Sequence, residues 1–122
     1  MHTLVVGMTG RHVLIAEDEW LIASDMAAAF EAMGARVLGP AASVQDALDI
    51  AEQATNLDGA VVDIKLRGGM AFPVAEALLK RGTPFVFATA FDERAIPAQF
   101  GKVVACTKPV NSLHIAHALF GR

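Results

Sequence analysis

Several residue types are scarce in this chain of 122 residues, and each scarcity excludes a class of protein. A single cysteine, Cys106, excludes an internal disulfide framework and a zinc site built from cysteines. Ten Lys and Arg against thirteen Asp and Glu leave a net charge of −3, whereas binding to a phosphate backbone needs a surplus of basic residues. No apolar run approaches the roughly 18 residues of a membrane helix. We therefore expect neither nucleic acid nor membrane as a partner.

The residues that are present favour a packed domain. Hydrophobic residues make up 54% of the chain and charged residues 19%, which is the opposite of the balance in disordered proteins. The length matches one domain, and we assign residues 11–122 to it and residues 1–10 to an N-terminal extension of open role. The first residues lack the basic flank and long apolar segment of a signal peptide, so we expect a cytoplasmic protein.

Five apolar runs alternate with helical patterns along the domain. The runs predicted as strands cover 12–16, 36–39, 59–63, 84–89 and 102–106. The helices predicted after them cover 20–33, 44–54, 72–81, 92–100 and the residues after Asn111, where Leu113 is expected to pack inward. Pro97 makes the fourth of these helices short or broken. Because the strands show no polar alternation, they are typical of a parallel sheet covered by helices on both faces, in a doubly wound arrangement.

Charged and polar residues follow these strands at their carboxyl ends, where doubly wound folds place their sites. Glu17 and Asp18 follow the first strand, Asp63 ends the third, Thr89 ends the fourth, and Lys108 follows the fifth. Each residue alone is typical of a solvated loop or a helix cap. Because all five follow strands in the same way, we expect them to meet at one edge of the sheet.

This set of residues suits phosphoryl transfer to a carboxylate. Clustered carboxylates are best satisfied by a hard divalent cation such as Mg²⁺. Lys108 would pair with one oxygen of the transferred group, and Thr89 would offer its hydroxyl to another. Asp63 is the central carboxylate and therefore the candidate nucleophile for an acyl phosphate. A Mg²⁺ site without phosphoryl chemistry is an alternative, but it does not explain the lysine and the hydroxyl.

The same residues lie in motifs that resemble the receiver domains of bacterial response regulators. The motifs are IAEDE at 15–19, VVD at 61–63, ATA at 88–90 and TKP at 107–109. The resemblance extends from Arg11 to Arg122. It implies the α/β fold of the CheY-like receivers, a (βα)₅ doubly wound three-layer sandwich with a parallel five-stranded sheet of order 2-1-3-4-5.

The resemblance also implies a role for each site residue. Asp63 would accept a phosphoryl group from a sensor histidine kinase or a histidine phosphotransfer protein. Thr89 would be the switch hydroxyl and Lys108 the phosphoryl contact, with a cis peptide bond before Pro109. The oxygen ligands implied for Mg²⁺ come from Glu17, Asp18, Asp63 and the backbone carbonyl of Lys65.

Three departures from the usual receiver pattern concern the conformational switch. Receivers usually carry Tyr or Phe three residues before the lysine, where this chain has Ala105, so the usual aromatic rotamer switch cannot operate there. The segment PFVFATAF at 84–91 and the glycines at 68–69 resemble a receiver subgroup called FATGUY. In that subgroup an aromatic residue such as Phe91 follows the threonine, and the fourth helix is short or remodelled. We therefore expect Thr89, Phe91 and residues 92–100 to move.

Trp20 begins the first predicted helix beside the acidic pair, and two interpretations of it stay open. It is either a partly buried anchor or an exposed docking residue for a kinase or phosphotransfer helix. Phe91, Pro109 and Val110 would extend the same docking surface. The chain ends three residues after Leu119, so we expect no output domain within it. A single-domain response regulator would signal by contact with an unknown downstream protein or by shuttling phosphate.

Two other functions compete with this hypothesis. A phosphatase of the haloacid-dehalogenase type would carry a second carboxylate two residues after the nucleophile, where this chain has Lys65. A receiver-like docking or dimerisation module would no longer accept phosphate. The chain is also consistent with a receiver excised from a larger hybrid kinase. We do not expect an enzyme beyond Mg²⁺-dependent phosphorylation and dephosphorylation of its own aspartate.

Overall fold

A parallel five-stranded sheet forms the centre of the computed structural model, which describes residues 7–90 and 96–121. The strands in chain order are β1 (His12–Ala16), β2 (Arg36–Ala41), β3 (Gly59–Asp63), β4 (Lys65–Leu66), β5 (Gly69–Met70), β6 (Phe85–Thr89) and β7 (Ala105–Thr107). The sheet has the order β2-β1-β3-β6-β7, and β4 pairs with β5 in a separate antiparallel hairpin. Counting only the five strands of the sheet, this is the predicted order 2-1-3-4-5, and the predicted fold class is confirmed.

Helices cover both faces of the sheet. The α-helices in the described residues are α1 (Trp20–Ala32), α2 (Val44–Gln53), α3 (Phe72–Arg81) and α4 (Ser112–Phe120). Alternate residues of each strand point to opposite faces, so Leu14 packs with the core under α2 and α3 while Val13 packs with the core under α1 and α4. The central strands β3 and β6 are buried at every residue, as their uninterrupted apolar sequences predicted.

Local capping signals place the helix ends where the sequence predicted them. The Ser43 hydroxyl accepts a hydrogen bond from the Asp46 amide at 3.1 Å and begins α2. The Asn111 side chain does the same for the His114 amide at 3.1 Å and begins α4. Gly82, in a left-handed conformation with φ of 71°, ends α3.

Three local predictions were wrong. The last strand covers Ala105–Thr107 rather than 102–106, because residues just before it form a turn in which the Val103 amide bonds the Phe100 carbonyl. Strand β2 continues to Ala41 through a cis peptide bond before Pro40. Leu113, predicted to pack inward, is half exposed, because Ile115 lies on the opposite side of α4 and takes the core position.

The segment between β6 and β7 is only partly described. Ala98–Phe100 forms a single 3₁₀ turn, and Phe100 is buried against Phe72 and Phe87. Phe91 and residues 92–95 of the predicted short helix lie outside the described residues.

Part of the expected N-terminal extension packs against the domain. Met8 is fully buried in the core under α1 and α4, and its amide donates to the Met33 carbonyl at 2.8 Å. No helix within 7–90 or 96–121 has the length and apolar character needed to cross a membrane.

Candidate functional site

The carboxyl edge of the sheet brings together the residues that the sequence singled out. Glu17 directly follows β1, Asp63 is the last residue of β3, and Thr89 is the last residue of β6. Lys108 directly follows β7, and its amide donates to the Thr89 carbonyl at 2.9 Å. Because β1, β3, β6 and β7 are successive neighbours in the sheet, residues far apart in sequence meet at one edge.

The ammonium group of Lys108 is the centre of this site. It donates a hydrogen bond to Asp63 Oδ2 at 2.8 Å and a longer one to Glu19 Oε1 at 3.4 Å. Glu17 Oε1 lies 2.8 Å from the same nitrogen, as an ion pair without hydrogen-bond geometry. The peptide bond between Lys108 and Pro109 is cis, as the resemblance to receivers implied.

The carboxylates keep the lysine charged. Burial alone would lower the pKa of Lys108, but its contacts with Asp63 and Glu17 outweigh burial and raise that pKa above its usual range. Lys108 is therefore an ammonium ion at physiological pH.

Backbone amides hold the two buried carboxylates in place. Glu17 is 2% exposed, and its Oε2 accepts a hydrogen bond from the Glu19 amide at 3.0 Å. Asp63 is 5% exposed, and its Oδ1 accepts one from the Lys65 amide at 3.2 Å. In each case, a backbone amide two residues further along the chain holds one carboxylate oxygen.

A divalent cation fits these carboxylates. Glu17, Asp18 and Asp63 each offer an oxygen, and these oxygens lie within 4.8 Å of one another. Glu17 Oε1 is buried and accepts no hydrogen bond from the described residues, and its contact there is the ion pair with Lys108 at 2.8 Å, so it is a carboxylate oxygen that already faces positive charge. Three carboxylates against one ammonium also leave net negative charge, and hard oxygen donors are the ligands that Mg²⁺ and Ca²⁺ prefer.

Two further residues with implied roles lie at the ends of neighbouring elements. Thr89 is fully buried at the end of β6, where it is in register with Thr107 of β7. Lys65 begins the β4–β5 hairpin and pairs with Met70, and its side chain is exposed.

Comparison with known proteins decides the family. No family model matches the sequence. The transcriptional regulatory protein PdtaR from Mycobacterium tuberculosis is 38% identical over 86 residues, which are 69% of this chain and 41% of PdtaR. The response regulator PhyR from Brucella abortus is 31% identical with a TM-score of 0.76, over 94% of this chain and 50% of PhyR.

SdrG from Sphingomonas melonis Fr1 matches over nearly its whole length. It is 36% identical with a TM-score of 0.76, over 91% of this chain and 94% of SdrG. The chain belongs to the receiver domains of response regulators. SdrG from Pseudomonas melonis Fr1 in a BeF₃-activated conformation gives a TM-score of 0.71 at 35% identity. The receiver spans less than half of the length of PdtaR and half of the length of PhyR.

The surface beside the receiver's acidic site exposes a large aromatic residue. Trp20 is 76% exposed and Leu21 is 70% exposed at the start of α1. The interpretation of Trp20 as a partly buried anchor is therefore wrong. Pro109 is exposed and Val110 is half-buried. Both line a groove of about 210 Å³ together with Ile22, Asp25, Met26, Lys108 and Ser112.

Sequence reasoning missed one member of the receiver's charged cluster. Glu19 is the last residue of the IAEDE motif and was not among the predicted site residues. The structure places its carboxylate on Lys108, the residue that also contacts Asp63. The available signal was the third acid in succession after Glu17 and Asp18, at the start of a helix where the usual cap is Ser, Thr, Asp or Asn.

Proposed function

We propose that this receiver accepts a phosphoryl group on Asp63 and signals through its phosphorylation state. The observation that supports this most is the position of Lys108, whose ammonium is 2.8 Å from Asp63 in a site with further carboxylates. A lysine so placed neutralises charge on a phosphoryl group at Asp63. SdrG, a relative of similar length, has a BeF₃-activated conformation, which is consistent with the same chemistry here.

Asp63 is prepared to act as a nucleophile. Its carboxylate is buried, oriented by the Lys65 amide and paired with Lys108. A new bond forms between an Asp63 oxygen and phosphorus while the bond from phosphorus to the histidine nitrogen of the donor breaks. The electrons of the broken bond stay on that nitrogen, and Lys108 neutralises the phosphoryl oxygens.

We assign Mg²⁺ to the acidic cluster, with Glu17, Asp18, Asp63 and the backbone carbonyl of Lys65 as ligands. When bound, the ion would neutralise phosphoryl oxygens and orient the donor. In this assignment Glu17 and Asp18 hold the ion, and Thr89 offers its hydroxyl to the phosphoryl group as the switch residue. The receiver then catalyses nothing beyond gain and loss of its own phosphoryl group.

We propose a sensor histidine kinase or a histidine phosphotransfer protein as the phosphodonor, acting in the cytoplasm. Exposed Trp20, together with Pro109 and Val110, would form the docking surface, and Phe91 would extend it. Output would pass to an unknown downstream protein or by phosphate shuttling. We assign residues 11–122 to the receiver and 1–10 to an extension, and either a single-domain regulator or part of a larger kinase is consistent with this function.

Phosphorylation is tested by intact mass after incubation with Mg²⁺ and either acetyl phosphate or phosphoramidate. The wild-type chain should gain one phosphoryl group, and Asp63→Asn should gain none. Asp49→Asn, which removes an exposed carboxylate on α2, is the matched control and should behave as wild type. A folded wild-type chain that gains nothing from either donor would overturn this function and favour a docking module that does not use phosphate.

A further inference from the structure

Glu19 occupies a helix-capping position without acting as a cap. It precedes α1, yet its side chain forms no hydrogen bond to the first turn of the helix. Its carboxylate instead contacts Lys108 Nζ at 3.4 Å, across 89 residues of sequence. Glutamate is not among the residues preferred at this position, so local helix formation does not explain it.

Lys108 is held from two sides. Asp63 and Glu17 are almost fully buried and contact the ammonium at 2.8 Å from the interior of the site. The Glu19 side chain is 63% exposed and contacts it from the solvent side, at the longer distance of 3.4 Å. An ammonium group has three N–H donors, and two of them are already directed at Asp63 and Glu19.

A phosphoryl group on Asp63 brings new oxygens to the same ammonium. The lysine must then redistribute its donors, and the exposed, longer contact to Glu19 is the least costly one to give up. Building on the proposed function, we propose that Glu19 is a positioning residue for phosphoryl transfer, because its carboxylate holds Lys108 toward solvent and competes with the phosphoryl group for it.

Two substitutions separate this contact from a general effect of charge. Glu19→Gln removes the charge at nearly constant size. Glu19→Asp keeps the charge but withdraws the carboxylate by one methylene group from Lys108. Glu52→Gln removes another exposed acid, on α2 and away from Lys108, and is the control. Since Glu19 is exposed, none of these changes disturbs the core.

The experiment measures the phosphorylation rate against acetyl phosphate concentration at saturating Mg²⁺, together with the ¹⁵N signal of the Lys108 ammonium before phosphorylation. Both Glu19 variants should raise the maximal rate about two- to fivefold, the range expected for an exposed ion pair, and both should shift the Lys108 signal. Glu52→Gln should change neither quantity.

The outcomes separate the two proposals. A wild-type chain that takes up no phosphoryl group overturns the proposed function and this inference together. If the wild-type chain is phosphorylated but Glu19→Asp matches it in rate and in the Lys108 signal, the contact has no positioning role. A change in Glu19→Gln alone would then reflect charge, and would also overturn the inference.

Discussion

Lys108 donates a hydrogen bond to Asp63 at 2.8 Å although 45 residues separate them in sequence. The two groups are brought together because β3 and β7 both end at the carboxyl edge of the sheet, with β6 between them. The pair is largely screened from water, since the side chains are 13% and 7% exposed.

Replacing Lys108 by methionine should destabilise the folded domain. Glu17 and Asp63 would remain buried without their cation, and the loss of one partner of a buried pair costs about 3 kcal/mol or more. Urea unfolding at pH 7 in the presence of EDTA measures the change in the free energy of unfolding. Lys80→Met, at an exposed site on α3, is the control and should change it by less than ~0.5 kcal/mol. Equal stability of the two variants would contradict this prediction.

The stabilisation from Lys108 should persist at neutral pH and disappear only in strong base. Its pKa in the folded protein is raised above its usual range, whereas the unfolded chain has the ordinary value of about 10.4. The unfolded state therefore loses its proton first, and the free energy of unfolding falls as pH rises beyond that value. The difference in stability between wild type and Lys108→Met should be constant from pH 7 to 9 and should narrow at pH 11. If this difference in stability already narrows below pH 9, the pKa of Lys108 is not raised in the folded protein.

Mg²⁺ should stabilise the wild-type domain against heat. A ligand that binds only the folded state adds ~1.4 kcal/mol at ten times its dissociation constant. Differential scanning calorimetry with and without Mg²⁺ should show a higher midpoint in wild type. Asp18→Asn removes one carboxylate of the cluster and should reduce the increase, whereas Asp49→Asn should preserve it. A midpoint that is independent of Mg²⁺ in wild type would contradict the assigned metal site.

Replacing Trp20 should slow phosphoryl transfer from a partner protein without changing the stability of the domain. The side chain is 76% exposed, so Trp20→Ala should change the free energy of unfolding by less than ~0.5 kcal/mol. The rate at which acetyl phosphate phosphorylates Trp20→Ala should also equal that of wild type. Transfer from a phosphorylated histidine phosphotransfer protein that phosphorylates wild type should slow at least several-fold, whereas Leu79→Ala, at an exposed apolar site on α3, should have no effect. If the rate of phosphoryl transfer to Trp20→Ala equals the rate to Leu79→Ala, Trp20 is not part of the docking surface.

Much of the fold could be predicted because its signals are local. The helix starts at Ser43 and Asn111 depend on bonds to residues three positions away, and strand burial is visible in uninterrupted apolar runs. The last strand was misplaced because Val103 is as apolar as a strand residue, and only its hydrogen bond to Phe100 shows that it belongs to a turn. Local composition does not distinguish these two states.

The sequence by itself determined the alternation of strands and helices, the parallel sheet, and the five polar residues at its carboxyl edge. Tertiary structure decided which of these side chains touch: Lys108 contacts Glu19 as well as Asp63, and Trp20 faces solvent. The physical reason is the sequence separation of the residues that determine each feature. Backbone periodicity and capping are set by neighbours within one helical turn, whereas the partners of an ammonium group depend on where distant strands place its neighbours, here across 45 and 89 residues.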